Sequence, residues 1–214
     1  MIAAAAHGLG PNVDRDPVVY VVDDDVSVRE SLESMIRHSG LHAEVFPSAR
    51  AFLERQRADG PRCLILDVTL PDLSGLDLQQ CIAVEQASMP IIFITGHGDV
   101  PMSVRAMKAG AFEFLTKPLQ DSVVLSSIRN AIARSQSVLG SDAALQSLRA
   151  RYASLTKRER EVMALVVSGL MNKQIGGSLG TSEITVKAHR GKVMRKMQAE
   201  SLADLVRMGQ RLAL

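Results

Sequence analysis

The sequence predicts two domains of different fold class, a doubly wound α/β domain on a five-stranded parallel sheet and a small all-α domain after it. Short apolar runs without polar alternation, typical of parallel strands covered on both faces, alternate with helical patterns up to about residue 134. After Ser135 the strand signals stop, and every later segment has helical spacing. The charge also changes from acidic to basic. Residues 17–136 hold 11 basic and 15 acidic side chains, whereas residues 137–214 hold 13 basic and 6 acidic side chains.

The first domain, residues 17–135, is expected to contain five strands and five helices. The strands are predicted at Val18–Val22, His42–Phe46, Cys63–Leu66, Ile91–Ile94 and Ala111–Leu115. The helices are predicted around Val28–Ile36, Ser48–Arg57, Leu76–Gln86, Pro101–Ala109 and Leu119–Ala133, from apolar residues at three- and four-residue intervals. Right-handed crossovers between parallel strands then place functional groups beyond the carboxyl ends of the strands.

The rest of the chain is expected to be simpler. Residues 1–16 lack the basic region and apolar core of a signal peptide and are predicted to be a flexible extension. Residues 136–153 are predicted to be a part-helical linker that breaks near Gly140. Residues 154–214 should form four helices, at Thr156–Ser168, Asn172–Leu179, Ser182–Met197 and Ser201–Leu212. No apolar run reaches the roughly 20 residues that span a bilayer, so a cytoplasmic protein without a membrane partner is expected.

Charged and hydroxyl side chains follow the predicted strands where the strands end. They are Asp23–Asp25 after the first strand, Asp67 after the third, Thr95 at the end of the fourth and Lys117 after the fifth. A single Asp at such a place is most often a helix cap, but neighbouring parallel strands bring all these positions to one rim. Crowded carboxylates need a cation such as Mg²⁺, and a lysine can contact a phosphoryl oxygen. The set predicts a phosphoryl-transfer site with Asp67 as nucleophile.

These stretches resemble the receiver domain of two-component response regulators over about Val18–Arg134. The matching stretches are Val21–Asp25, Leu66–Pro71, Ile94–Gly96 and Lys117–Pro118, and Thr95–Pro118 is close to the FixJ branch. The resemblance implies a flavodoxin-like fold in which Asp67 accepts phosphate from the phosphohistidine of a sensor histidine kinase.

The same resemblance implies roles for the other rim residues. Mg²⁺ would be held by Asp23, Asp24, Asp67 and the backbone carbonyl of Thr69. Thr95 and Phe114 would form the switch pair, and Lys117 would contact the phosphoryl group. The Lys117–Pro118 peptide bond is predicted to be cis, so that the bend directs the lysine to the rim.

An enzyme is disfavoured by what the motifs lack. Phosphatases with an aspartate nucleophile carry a second Asp two positions later as general acid, but Thr69 stands there. Dinucleotide enzymes need a third glycine after a pair such as Gly96-x-Gly98, set between a strand and a helix, and this chain does not have it.

The basic second domain contains a candidate DNA-reading helix. Thr156 and Glu159 fit a capping box at the start of the domain. On the helix Ser182–Met197, one face is expected to pack through apolar residues and the other to be positive, as entry into a major groove requires. The apolar set is Ile184, Val186, Val193, Met194 and Met197, and the basic set is Lys187, Arg190, Lys192, Arg195 and Lys196. Charge alone would favour a solvated helix face.

The second domain resembles the LuxR-type helix-turn-helix over about Ser154–Arg211. The resemblance is carried by Leu155–Val162, Asn172–Ile175 and Thr185–Arg190. It implies that Met171–Arg190 binds double-stranded promoter DNA, with Lys187 and Ala188 facing bases. The full DNA-contacting set would be Lys173, Thr185, Lys187, Ala188, His189, Arg190 and Lys192, of which Lys173, His189, Arg190 and Lys192 would meet phosphates. Gly176-Gly177 and Gly191 depart from the family pattern.

Together the two resemblances predict a phosphorylation-controlled transcriptional activator of the NarL/FixJ subfamily that forms a homodimer when Asp67 is phosphorylated. The C-terminal helix is expected to supply a second dimer contact through Leu202, Leu205, Val206 and Met208, and RNA polymerase is a further candidate partner. The alternative is a phosphate-independent DNA-binding regulator that uses the receiver only as a dimerisation module. The complete set of rim residues favours phosphorylation.

Overall fold

The structure is a computed structural model that describes residues 16–56, 59–96 and 100–214. The chain divides into two compact units, Met1–Ser141 and Asp142–Leu214, called here the N-terminal and C-terminal units. The extension predicted for residues 1–16 lies outside the described residues except for Asp16. In the described part of the chain, no helix has the length and apolar character needed to cross a membrane.

The N-terminal unit contains a five-stranded, all-parallel sheet, which confirms the predicted fold class. Its strands are β1 (Val18–Val22), β2 (His42–Phe46), β3 (Arg62–Asp67), β4 (Ile91–Thr95) and β5 (Glu113–Thr116), in the order β2-β1-β3-β4-β5. The register sets Val22 beside Leu66, Asp67 beside Ile94, and Thr95 beside Thr116. The carboxyl ends of β1, β3, β4 and β5 therefore form one continuous edge.

Helices cover both faces of this sheet and create two apolar layers. They are α1 (Val26–His38), α2 (Ala49–Leu53), α3 (Gly75–Cys81), α4 (Val100–Lys108) and α5 (Asp121–Ala153). Tyr20 and Val22 point into one layer, whereas Val19 and Val21 point into the other. Because both faces of the sheet are covered, the inner strands β1, β3 and β4 are almost wholly apolar without alternation.

Two predicted elements were wrong. Helix α5 continues without interruption to Ala153, so Gly140 does not break it and residues 136–153 are helical throughout instead of part-helical. A single interior glycine costs a helix only about 1 kcal/mol, which the helix formers around it offset. Helix α3 ends at Cys81 instead of Gln86, and the chain continues in turns in which Glu85 forms an ion pair of 2.9 Å with Arg55.

The C-terminal unit contains four helices, as predicted, packed around one apolar core. They are α6 (Lys157–Val167), α7 (Asn172–Leu179), α8 (Glu183–Met197) and α9 (Leu202–Arg211). The side chains of Thr156, Ser182 and Ser201 each accept a backbone N–H in the first turn of the helix that follows. These caps satisfy donors that have no partner inside the helix and explain where α6, α8 and α9 begin.

Candidate functional site

Three carboxylates meet at the carboxyl edge of the sheet. Asp23 follows β1, and Asp67 is the last residue of β3. One carboxylate oxygen from each of Asp23, Asp24 and Asp67 lies within 4.8 Å of the other two. Asp23 and Asp67 are buried, whereas Asp24 is exposed. The structure therefore brings together the carboxylates that the sequence places at the strand ends.

Lys117 bridges the two buried carboxylates. Its Nζ donates hydrogen bonds to Oδ2 of Asp23 at 2.9 Å and to Oδ2 of Asp67 at 2.8 Å. Its backbone N–H donates to the carbonyl of Thr95 at 2.8 Å, which ties the segment after β5 to the end of β4. The Lys117–Pro118 bond is cis, as predicted.

The electrostatics of this cluster leave an excess of negative charge. Burial raises the pKa of Asp23, and the hydrogen bonds from Lys117 and from the Asp25 N–H only partly oppose this. Burial also lowers the pKa of Lys117, but hydrogen bonds to Asp67 and Asp23 outweigh it and the net shift is upward. The lysine therefore stays protonated, and one ammonium faces two buried carboxylates and a third exposed one.

The loop after β3 holds the Asp67 carboxylate in place. The Thr69 N–H donates to Oδ1 of Asp67 at 3.0 Å, so both carboxylate oxygens of Asp67 accept hydrogen bonds. The N–H of Gly75 donates to the Val68 carbonyl at 2.9 Å, and a Cβ at Gly75 would collide with the Asp67 carbonyl oxygen. Gly75 thus allows α3 to start close to the loop, a role that the sequence analysis missed because Ser74-Gly75 resembles any helix start.

The two predicted switch residues lie on the same side of the sheet. Thr95 is buried at the end of β4, and Phe114 pairs in register with Phe93, two residues earlier on that strand. Residues two apart on a strand share a face, so the side chains of Thr95, Phe93 and Phe114 point the same way. The ring of Phe114 is half-buried, with its centroid 6.2 Å from that of Phe93.

In the C-terminal unit, α8 presents much of the predicted DNA-contacting set to solvent. Thr185, Lys187, Ala188 and Lys192 on α8, and Lys173 on α7, are exposed. Val186, Val193 and Met197 are buried on the opposite face. The structure thus separates a packed face of α8 from an exposed one, as predicted.

Other residues of that set are held by neighbouring groups. Arg190 is half-buried and donates from Nη1 to Oδ1 of Asn172 at 3.1 Å, which joins α8 to the start of α7. His189 is also half-buried, and its Nδ1 has no hydrogen-bond partner among the described residues. Ile184, expected on the packed face, is 82% exposed, because two residues along a helix carry it almost to the opposite side from Val186.

Two contacts within this unit were not predicted. Lys196 donates from Nζ to Oε2 of Glu159 at 2.7 Å, and this bond together with the Thr156 N–H lowers the pKa of Glu159 to about 2. The guanidinium of Arg158 donates to the Leu179 carbonyl at the end of α7. Neither contact has a signal in the sequence, because the partners lie 37 and 21 residues apart.

The prediction for the C-terminal helix was partly wrong. Leu205 is fully buried, so it is not available for a dimer contact, whereas Met208 is half-buried and packs in part against the core of the C-terminal unit. Leu202 is 45% exposed and Val206 is half-buried. The apolar face of α9 packs on its own unit, where Gly209 lies against Val167.

Comparison with known proteins identifies both units. The family model of the response regulator receiver domain matches residues 19–129, and the model of bacterial regulatory proteins of the luxR family matches residues 153–209. Nodulation protein W of Bradyrhizobium diazoefficiens is 48% identical over 197 residues, covering 92% of this chain and 87% of that protein. Transcriptional regulatory protein FixJ of the same organism is 40% identical over 193 residues, covering 90% and 94%.

Solved structures show the same relationship. The response regulator StyR has a TM-score of 0.83 at 44% identity, over 92% of this chain and 100% of that chain. Full-length FixJ from B. japonicum has a TM-score of 0.54 at 39% identity, over 92% and 97%. The chain therefore belongs to the two-component response regulators of the NarL/FixJ family and is a transcriptional regulator with a receiver domain and a LuxR-type helix-turn-helix DNA-binding domain.

Proposed function

We propose that Asp67 accepts a phosphoryl group from the phosphohistidine of a sensor histidine kinase, and that this phosphorylation controls dimerisation and activating promoter binding. The observation that carries the proposal is the shared contact of Lys117 with Asp23 and Asp67. A half-buried lysine between two carboxylates places one mobile positive charge beside the nucleophile, where a phosphoryl oxygen would arrive.

The donor set at the rim suits Mg²⁺. Receiver domains typically bind this ion at an acidic pocket, and the clustered carboxylate oxygens are the hard ligands that it prefers. Asp23, Asp24, Asp67 and the backbone carbonyl of Thr69 would hold the ion. When bound, it supplies positive charge that neutralises the phosphoryl oxygens during transfer.

The transfer forms one bond and breaks another. A carboxylate oxygen of Asp67 bonds to phosphorus while the bond from phosphorus to the donor imidazole nitrogen breaks, and the electron pair stays with the imidazole. Lys117 exchanges its contact with Asp67 Oδ2 for one with a phosphoryl oxygen. The product carries nearly two negative charges and three new acceptor oxygens at the rim.

These acceptors couple the site to the surface through the switch pair. The Thr95 hydroxyl donates to a phosphoryl oxygen and draws its loop inward, and Phe114 turns further into the space that is vacated. Because both side chains lie on one side of the sheet, this movement reaches β5 and the helices beside it. The altered surface of α4, β5 and α5 then pairs with a second copy of the chain.

The paired C-terminal units bind promoter DNA through α8. Its exposed face carries Lys187 and Ala188 toward the bases, while Lys173, Thr185 and Lys192 contact the backbone together with His189 and Arg190. Contacts to phosphates set the register of the helix, and contacts to base edges supply specificity. A dimer makes twice as many contacts with the DNA as one chain does. Its two-fold symmetry matches two symmetric half-sites in the promoter.

Incubation with acetyl phosphate and Mg²⁺, followed by mass spectrometry, tests the chemistry. We expect one acid-labile phosphate on the wild-type protein and none on Asp67→Asn. Asp72→Asn is the matched control, because Asp72 is exposed and accepts N–H groups from the start of α2 instead of contacting the rim. Wild-type labelling of Asp67→Asn would identify another acceptor. Promoter affinity that is equal with and without phosphate would support the phosphate-independent regulator.

A further inference from the structure

Over its first two turns, from Ile184 to Gly191, the outermost stripe of α8 is apolar rather than basic, and the exposed Arg195 continues the same stripe one turn later. Each residue of an α-helix turns about 100°, so Ile184, Ala188 and Gly191 fall within an arc of about 60°. This arc lies opposite the buried face made by Val186 and Val193. All three residues of the stripe are exposed. They occupy the part of the helix that would reach deepest into a groove.

Cationic side chains border this stripe on both sides. Lys187 lies on one side and Lys192 on the other, and both are exposed. Ile184 itself is 82% exposed although it is a large apolar side chain. A partner that fits both features is a polyanion with an apolar group between its phosphates, which is what a thymine presents in the DNA major groove.

The position of Ile184 along α8 also suits contact with a base. It lies in the first turn, two residues after the Ser182 cap, and the N-terminal residues of recognition helices are those that reach base edges. A Cβ added to Gly191 would meet nothing within 4 Å among the described residues, so the missing side chain leaves open space on the stripe. A small residue there lets the helix backbone approach the bases closely.

We propose that Ile184 selects a thymine in each half-site by packing against its C5-methyl group. The inference rests on the proposed placement of α8 in the major groove. An isoleucine side chain has no hydrogen-bonding group, and the thymine methyl is the apolar group on the major-groove edges of the bases. The contact therefore discriminates by the methyl group alone.

Replacement of thymine by deoxyuridine tests this contact, because it removes the methyl and leaves every hydrogen-bonding group unchanged. The preferred duplex is first selected from a random pool with the full-length protein, and each thymine is then replaced in turn. At one position per half-site, we expect the replacement to lower the affinity of the wild-type protein by about three- to tenfold. A loss of this size corresponds to removing one buried methyl group or slightly more. Ile184→Ala should bind the thymine and deoxyuridine duplexes equally.

Two further variants separate this contact from other effects. Val84→Ala removes another exposed apolar side chain, 97% exposed in the N-terminal unit, and should keep the wild-type ratio of affinities for the two duplexes. Lys192→Ala should weaken both duplexes by the same factor and reduce the salt dependence of binding. Circular dichroism of Ile184→Ala should match the wild type, since the side chain is exposed.

The outcomes distinguish failure of the Ile184–thymine contact from failure of the proposed DNA binding. If Ile184→Ala keeps the wild-type preference for thymine, or if no deoxyuridine substitution weakens the wild-type protein, the contact with the methyl group does not exist. A protein that binds no duplex, selected or random, would overturn the proposed DNA binding as well.

Discussion

Asp23 has no exposed surface, yet it must share one ammonium with Asp67. Burial raises the pKa of Asp23 above its ordinary value, so the folded protein holds the charged carboxylate at a cost in free energy of unfolding. Removing this charge should stabilise the fold, and a divalent cation should do the same. This placement fits the proposed role of Asp23 in holding Mg²⁺.

The variant Asp23→Asn measures this cost in metal-free buffer. Because the pKa of Asp23 is raised in the folded state, ionisation of this carboxyl destabilises the fold. The stability is therefore lost as the pH rises through the raised pKa. We expect Asp23→Asn to have a higher free energy of unfolding than the wild type at pH 8, and this difference to shrink as the pH falls toward about 4, the ordinary range of an aspartate pKa. Urea unfolding, followed by a probe in the N-terminal unit, provides the measurement.

The control for this prediction has the opposite sign. Hydrogen bonds from the backbone of Arg50 and Ala49 lower the pKa of Asp72, so Asp72→Asn should destabilise at pH 8. Added Mg²⁺ should stabilise the wild type, as any ligand of the native state does, and have little effect on Asp23→Asn. Lower stability of Asp23→Asn at pH 8 without metal would contradict the electrostatic account.

Glu159 shows the reverse case in the C-terminal unit. Its lowered pKa, about 2, means that its contribution to stability is present above the ordinary glutamate pKa and lost as the pH falls toward 2. Glu159→Gln should lower the free energy of unfolding at pH 7 by about 1–2 kcal/mol, as expected for a weakened cap. The difference from wild type should vanish near pH 2, whereas Glu183→Gln, on the exposed first turn of α8, should change little at any pH.

At the scale of elements, the two adjacent glycines of α7, Gly176 and Gly177, have different structural effects. A Cβ on Gly176 would lie 2.8 Å from the carbonyl oxygen of Thr181, whereas a Cβ on Gly177 would meet nothing within 4 Å among the described residues. The Gly176 carbonyl also accepts the Thr181 N–H at 2.9 Å. Gly176 therefore permits the close approach that joins α7 to the turn before α8, and Gly177 only weakens the helix.

Substituting each glycine by alanine distinguishes the effect of Gly176 on stability from that of Gly177. Gly177→Ala should raise the free energy of unfolding of the C-terminal unit by about 0.5–1 kcal/mol, because alanine is the better helix former. Gly176→Ala should lower it by about 1–3 kcal/mol, because the turn must shift away from the new methyl group. Thermal unfolding followed by circular dichroism compares the two, and equal effects would show that the turn adapts freely.

For the whole molecule, the proposed switch predicts a change in association. The unphosphorylated protein should sediment mainly as a monomer, and the protein treated with acetyl phosphate and Mg²⁺ should sediment as a dimer. Asp67→Asn should stay monomeric under both conditions. A dimer of the same size in both states would mean that phosphorylation acts by releasing the DNA-binding unit instead of pairing receivers.

The fold class, the order of the elements and the residues of the rim could all be predicted from the amino-acid sequence. Apolar runs identify β1, β3 and β4, and side-chain caps such as Thr156 and Ser182 identify helix starts, because these signals are local. The rim could be predicted as well, because neighbouring parallel strands end at the same edge of a sheet. Asp67 is the last residue of β3, and Asp23 and Lys117 come directly after β1 and β5.

Features that depend on residues far apart in the chain became visible only in the folded protein. Lys196 pairs with Glu159, Arg158 donates to the Leu179 carbonyl, and Arg190 donates to Asn172. In each case the packing of two helices brings the partners together, and charge pairing or hydrogen bonding then holds them. Those contacts exist only once the chain has folded, so no local pattern contains them.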